Sequence, residues 1–302
     1  MNTQTKKPTH ISLSHSSFTA YKTCPRLFYN KYILNLYPKT LNTDIIFGST
    51  VHKMLEVYYN THSAKESIEA GTIEWNSYFD NADKNNITIT GKKFKTPTTA
   101  IELFLYYLSD VTKETKDNFT TIKSEFKLEV DLTNEISLLA IIDGIWSIQG
   151  INYIIEHKTT SWIASKLLES QKHSYQPYTY LLALDIDKAN TWDVDNVLVN
   201  VLSYSAREKK DLSFGVPTID CTRGVITGNE HLLKNTYNQY VNCGNAILES
   251  SHIDNFIQDF SNCINKFNRK CDYFDLCWYN FRHDLHEIDP HRDIFKEKFT
   301  NE

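Results

Sequence analysis

The period of hydrophobic and polar positions changes twice along the chain. From Ser14 to about Tyr32, apolar and aromatic residues such as Phe18, Tyr21 and Phe28 recur at helical spacing behind a Ser14 or Ser16 N-cap. A second helix opens at Phe47-Gly48-Ser49-Thr50 and carries Val51, Leu55, Tyr58 and Tyr59. Helical patterns continue over 62–120, broken by the polar stretch Asn81 to Lys95, which reads as a surface loop before a helix resumes from Pro97 to about Thr115. After Ser124 the period drops to that of strands. Phe126 to Val130 alternates, Ile136 to Ile148 is β-branched and apolar, and Asn152 to His157 follows. Helix returns from about Ala164 to Asp185 with an interruption near Pro177, and Val194 to Ser205 is a strand apolar enough to lie inside a sheet. The remainder reads as mostly helical to Arg269, followed by a cysteine-bearing loop.

This layout predicts an α/β fold with a central mixed β-sheet flanked by helices. It predicts one domain over 14–302 behind a loose tail, 1–13. The domain divides into an N-terminal helical part (14–120), a core (121–210) and a C-terminal helical part (211–302). Composition narrows the class. With 302 residues, 41% hydrophobic, 23% charged, and only 9 Gly and 7 Pro, the chain is neither disordered nor fibrous. No apolar run approaches the roughly 18 residues of a membrane span, so no membrane partner is expected. The basic N-terminus has no apolar stretch behind it and does not read as a secretory signal. A net charge of −5 excludes a histone-like, purely electrostatic binder of nucleic acid. It leaves room for a local basic groove beside metal-holding carboxylates. The 6 cysteines point to a reducing, cytoplasmic setting where clustered cysteines serve as metal ligands.

The strongest local signal is a hairpin. If Gln149 and Gly150 are its turn, Ile148 pairs with Ile151, and counting back places Asp143 opposite Glu156. Opposed residues share a face, with Cβ atoms about 4.5–5.5 Å apart. Lys158 shares that face, whereas a three-residue loop would separate the carboxylates. Two adjacent carboxylates raise each other's pKa unless a cation lies between them, and hard oxygen donors suit Mg²⁺ or Mn²⁺. A charged cross-strand cluster on a solvated face is the plain alternative.

Fragments in order along the chain then resemble a family. LSHSSFTAYKTCPRLFYN (13–30), FGSTVHKMLE (47–56), Asp143-Gly144, Glu156-His157-Lys158-Thr159, QPYTY (176–180) and CDYFDLC (271–277) resemble the RecB-like branch of the PD-(D/E)XK nucleases. The likeness is greatest to phage and CRISPR-associated exonucleases that hold an iron–sulfur cluster. The resemblance implies a restriction-endonuclease-like core and a metal-dependent DNA exonuclease working on ends, preferably single-stranded. It implies Asp143, Glu156 and His52 as metal ligands with the main-chain carbonyl of His157, and Lys158 as the catalytic lysine. Gln176 and Tyr180, one helical turn apart, would touch the DNA backbone. Cys24 with Cys263, Cys271 and Cys277 would hold a [4Fe–4S] cluster tying the two ends of the chain together, with zinc as the other possible occupant. Cys221 and Cys243 fall outside that pattern.

Lys22 and Arg26, at i and i+4 beside Cys24, are candidate phosphate contacts. Recombination, repair or CRISPR adaptation proteins are compatible partners. A rival reading from another class keeps the fold and the cluster as a non-catalytic DNA-binding module.

Overall fold

The computed structural model describes residues 9–114, 119–187, 189, 191–207, 215–250, 255–264, 270–279 and 286–288. The chain divides into two compact units. One comprises Met1–Lys39, Leu128–Ala140 and His231–Glu302, and the other Thr40–Lys127 and Ile141–Glu230. The central sheet has six strands in the order β1-β6-β7-β8-β9, with β5 paired to β6. It is mixed and flanked by helices, as the layout predicted.

In the first unit, β1 (Ile11–Ser14) runs parallel to the start of β6 (Ile136–Ile148), with Ile11 opposite Ile136 and Leu13 opposite Leu138. Ile11 and Leu13 are completely buried. The expected loose tail therefore ends before Ile11; four residues are too few to display a strand period. Ser14 caps α1 (His15–Thr23) in a reciprocal capping box with Ser17. The single helix expected to Tyr32 is broken at Cys24, which is extended, because the residue before a proline is driven out of helical geometry. Pro25 then starts α2 (Pro25–Phe28), followed by a π-turn over Tyr29–Ile33. β2 (Leu36–Pro38) pairs antiparallel with β10 (His286–Ile288). α8 (Glu230–Glu249) stacks Tyr240 on Phe18, with centroids 4.3 Å apart. Gly244 of α8 lets Ile136 approach so closely that a Cβ there would lie 2.6 Å from its Cδ1.

In the second unit, β7 (Ile151–Thr160) pairs with β6 in a hairpin and runs parallel to β8 (Asn196–Ser205). β8 pairs antiparallel with β9 (Thr218–Thr227). β9 was expected as part of a helical stretch. It is a sheet-edge strand with Thr218, Asp220, Thr222 and Arg223 in its length, and this polar composition hides it from a hydrophobic reading. The crossover from β7 to β8 is made by α6 (Ala164–Gln171) and α7 (Tyr175–Ile186). The break between them falls before Ser174, which caps α7, and not at Pro177. Pro177 sits in the first turn of α7, where a backbone N–H has no helical partner to lose.

α3 (Thr43–Thr61), α4 (Ala64–Lys84) and α5 (Pro97–Glu114) form a core with one face of the sheet. It includes Phe47, Val51, Met54, Leu103 and Phe104 against Trp146, Ile155, Leu198 and Leu202. α3 begins at Thr43, ahead of the expected Phe47, because the Asn42 side chain accepts the Asp44 N–H at 2.8 Å. The stretch expected as a surface loop over Asn81 to Lys95 is partly structured. α4 runs to Lys84, and β4 (Thr88–Thr90) pairs parallel with β3 (Thr40–Asn42). Lys95 is buried, its ammonium 2.9 Å from Asp44 and 4.5 Å over the Phe47 ring. Among the described residues, no helix is long and apolar enough to cross a membrane.

Candidate active site

Gln149 and Gly150 both have positive φ, 53° and 80°, the geometry of a two-residue type I′ turn. The ladder runs from Ile148 opposite Ile151 to Gly144 opposite Ile155, so the next position sets Asp143 beside Glu156 as the turn predicted. The His157 N–H donates to Asp143 Oδ2 at 2.6 Å. His52 Nδ1 lies 3.4 Å from Asp143 Oδ1. Its helix sits close against β7: a Cβ on Gly48 would lie 3.1 Å from Thr159 Oγ1. A side chain at Gly48 would crowd the Thr159 hydroxyl, and His52 lies one turn further along the same helix.

On the other side of Glu156, Lys158 forms an ion pair with Glu156 Oε1. The Lys158 ammonium donates to Gln176 Oε1 at 2.7 Å, and the Gln176 amide donates to Glu156 Oε1 at 3.0 Å and to the Tyr180 hydroxyl at 2.6 Å. Gln176 and Tyr180 therefore share one face of α7, and the second unit gathers His52, Asp143, Glu156, His157, Lys158, Gln176 and Tyr180 at one place.

The two carboxylates are driven apart electrostatically. Burial pushes Asp143 up, but the charge and hydrogen bond of His52 and the His157 N–H outweigh it, leaving the carboxyl at about 2. Burial pushes Glu156 up as well; Lys158 opposes it, Asp143 adds to it, and the net direction is upward. Burial lowers His52, but Asp143 wins and raises it. His157 is held neutral, its pKa lowered to about 3 by burial. Glu125 on β5 (Phe119–Asp131) is raised by burial, by Glu56 and by Asp143. Neither glutamate stood out in the sequence, although Glu56 falls one turn beyond His52 on α3.

The expected ligand set is not a ready-made cage. Among the described residues, no three or more His, Cys, Asp or Glu side chains converge closely enough to hold a metal ion. The charges of Asp143 and Glu156 are met instead by His52 and Lys158. The donor set still fits a hard divalent cation. Glu156 Oε2 is buried with no hydrogen-bond partner, and Mg²⁺ takes one or two carboxylates while keeping several waters.

The cysteines lie in the first unit. Cys263, Cys271 and Cys277 are each raised chiefly by burial, Cys271 to about 11, and Cys24 contributes to the rise of all three. Among the described residues, however, no three of these thiols converge closely enough to hold a metal ion; the Cys271 N–H donates to the Cys263 carbonyl at 2.8 Å. Cys24 accepts from the Asp259 N–H at 3.4 Å, and Cys277 from the Asn30 amide at 3.5 Å. Cys221 lies on β9 and Cys243 on α8, outside the group. Lys22 bonds Gln239 at 3.2 Å, while Arg26 donates to the Phe256 carbonyl at 2.9 Å and lies over Tyr29. Both belong to the first unit, and the carboxylates to the second.

A family model described as PD-(D/E)XK nuclease superfamily matches residues 12–277. The chain belongs to the PD-(D/E)XK nuclease superfamily. The match spans the β6–β7 hairpin that carries Asp143, Glu156 and Lys158. No curated protein matches the chain. Among solved structures, the crystal structure of SSO0001 matches with 12% identity, covering 78% of this chain and 87% of that one, at a TM-score of 0.28.

Proposed function

We propose that this PD-(D/E)XK nuclease is a divalent-metal-dependent exonuclease that hydrolyses phosphodiester bonds at DNA ends, preferring single strands. The observation that carries the reading is the state of Glu156: one oxygen is fixed by Lys158 and Gln176, and the other is buried with no hydrogen-bond partner. Burying a carboxylate oxygen without a partner costs free energy, and a site that accepts this cost is organised for a ligand. Asp143, Glu156 and the His157 main-chain carbonyl would hold Mg²⁺ or Mn²⁺, with His52 orienting Asp143. When bound, the ion would lower the pKa of an attacking water and offset charge on the phosphate. Lys158 supplies a fixed positive charge where negative charge develops, and Gln176 holds that ammonium in place. Tyr180 fixes the Gln176 amide from behind.

The same reading places the protein in the RecB-like iron–sulfur branch, with Cys24, Cys263, Cys271 and Cys277 as cluster ligands. Its support is that Cys24 adds to the burial-driven rise in the pKa of Cys263, Cys271 and Cys277, and that backbone N–H groups tie Asp259 to Cys24 and Cys271 to Cys263. Recombination, repair or end processing is the corresponding role.

End-labelled single- and double-stranded DNA incubated with Mg²⁺, Mn²⁺ or EDTA tests the proposal. Stepwise loss of terminal nucleotides with metal, and none with EDTA, is expected. Asp143→Ala should abolish cleavage and weaken Mn²⁺ binding in calorimetry, whereas Lys158→Ala should abolish cleavage and spare binding, because an ammonium does not ligate the ion. Wild-type cleavage by both variants would remove the hairpin from the reaction. DNA binding without cleavage under every metal condition would favour the non-catalytic module.

A further inference from the structure

Beneath the carboxylates lies a second polar group that no motif marks. His157 on β7 stands opposite Asn200 on β8, and Asn200 opposite Arg223 on β9, so the three form one row across adjacent strands. Strand alternation puts this row on the face away from Glu156 and Lys158. His157 and Asn200 are 3% and 2% exposed. The imidazole lies parallel to Tyr59 at 5.9 Å, edge-on to Tyr107 at 5.8 Å, and 5.8 Å from Trp146. The Tyr59 and Tyr107 hydroxyls bond each other at 2.7 Å.

The direction of each bond in the row follows from chemistry. A guanidinium only donates, and Arg223 Nε donates to Asn200 Oδ1 at 2.5 Å. That commits the Asn200 oxygen to Arg223 and turns its amide nitrogen toward His157 Nδ1, 3.5 Å away. An amide N–H meets an imidazole nitrogen only where that nitrogen carries a lone pair, so the proton of neutral His157 resides on Nε2. The backbone of His157 holds Asp143 through its N–H, and its chain neighbours are Glu156 and Lys158. A shift of the ring therefore displaces the main chain that carries the acids and the lysine.

We infer that Arg223 is a positioning residue of the catalytic strand, acting through Asn200 to lock the His157 ring and with it the Glu156–Lys158 backbone. This role rests on the nuclease reading of the carboxylate pair, and it deepens that reading by adding a support that reaches the site from the sheet edge. Partners that orient ligand-bearing groups typically change metal affinity by about 10–100-fold when removed.

The test uses the full chain with Arg223→Met, Arg223→Gln, Asn200→Asp and, as a control on the same face of β9, Val225→Ala. Imidazole ¹⁵N shifts of the metal-free protein should show His157 protonated on Nε2, and Asn200→Asp, which offers an acceptor in place of a donor, should move the proton to Nδ1. Arg223→Met should weaken Mn²⁺ binding about tenfold or more, with single-turnover cleavage recovering at high Mn²⁺. Arg223→Gln, which keeps a donor, should recover part of the affinity. Val225→Ala should lower only the unfolding midpoint. A folded Arg223→Met protein with wild-type Mn²⁺ affinity, or an unchanged His157 tautomer in Asn200→Asp, overturns the inference while wild-type cleavage leaves the nuclease reading intact. A wild-type protein that binds no Mn²⁺ overturns both.

Discussion

Replacing Gln176 by leucine isolates what holds Lys158. The side chain accepts from the Lys158 ammonium at 2.7 Å, donates to Glu156 at 3.0 Å and donates to the Tyr180 hydroxyl at 2.6 Å. Two of these partners are charged, and hydrogen bonds to charged groups contribute about 1.5–3 kcal/mol each. In the folded protein the Glu156–Lys158 ion pair survives the change, so the loss is one of orientation and not of charge. If orientation accounts for about 3 kcal/mol at the transition state, kcat/KM falls on the order of 100-fold, at about 1.4 kcal/mol per tenfold. Leucine is close to glutamine in volume and α7 is otherwise unaltered, so the fold should persist. The assay is single-turnover cleavage of end-labelled DNA beside Mn²⁺ calorimetry. Cleavage should fall on that scale while the affinity for Mn²⁺ moves only a few-fold, because Gln176 is not a ligand. Tyr180→Phe removes the acceptor of the Gln176 amide and the hydroxyl's own hydrogen bond to Glu156, but leaves Gln176 on the Lys158 ammonium, so it should cost less than Gln176→Leu. Gln176→Leu cleaving at the wild-type rate would refute the reasoning, and so would Tyr180→Phe proving the more damaging of the two.

Other expectations follow from separate parts of the molecule. Burial raises Asp44, but the hydrogen bond and charge of Lys95, with Lys92, hold it below its ordinary 3.8. A depressed carboxylate contributes stability in full above its unfolded value, and that stability is lost as pH falls through the folded value. Lys95→Met should therefore flatten the fall of unfolding free energy below about pH 4; an unchanged acid slope in urea titrations would count against the pair. Gln149 adopts φ 53° in the hairpin turn, where asparagine is better suited, so Gln149→Asn should raise stability by about 0.5–1 kcal/mol and leave cleavage unchanged. Purified without oxygen, the protein should be brown, with broad absorption from thiolate-bound iron. Cys277→Ala should lose that colour and Cys221→Ala keep it, whereas a colourless protein with stoichiometric zinc would reject the cluster.

The sequence by itself determined the hairpin and what faces what within it. Turn chemistry at Gln149-Gly150 and strict strand alternation are local, so counting residues sufficed to bring Asp143 and Glu156 together. The spacing of Gln176 and Tyr180 on one helical face is local in the same sense. The strands β1, β4 and β9 were not legible, because each is short or polar and is defined by its neighbour in the sheet, not by its own pattern. Spacing put Lys158 on the face of Glu156, but it could not reveal that His52 would meet Asp143 or that Gln176 would fix the Lys158 ammonium. That outcome depends on how closely α3 settles on β7 over Gly48 and where α7 delivers Gln176. The row from His157 through Asn200 to Arg223 draws one residue from each of three strands, with two long connections between them. Only the pairing register of the assembled sheet sets such a row, because lateral neighbours in a sheet carry no mark of their proximity along the chain.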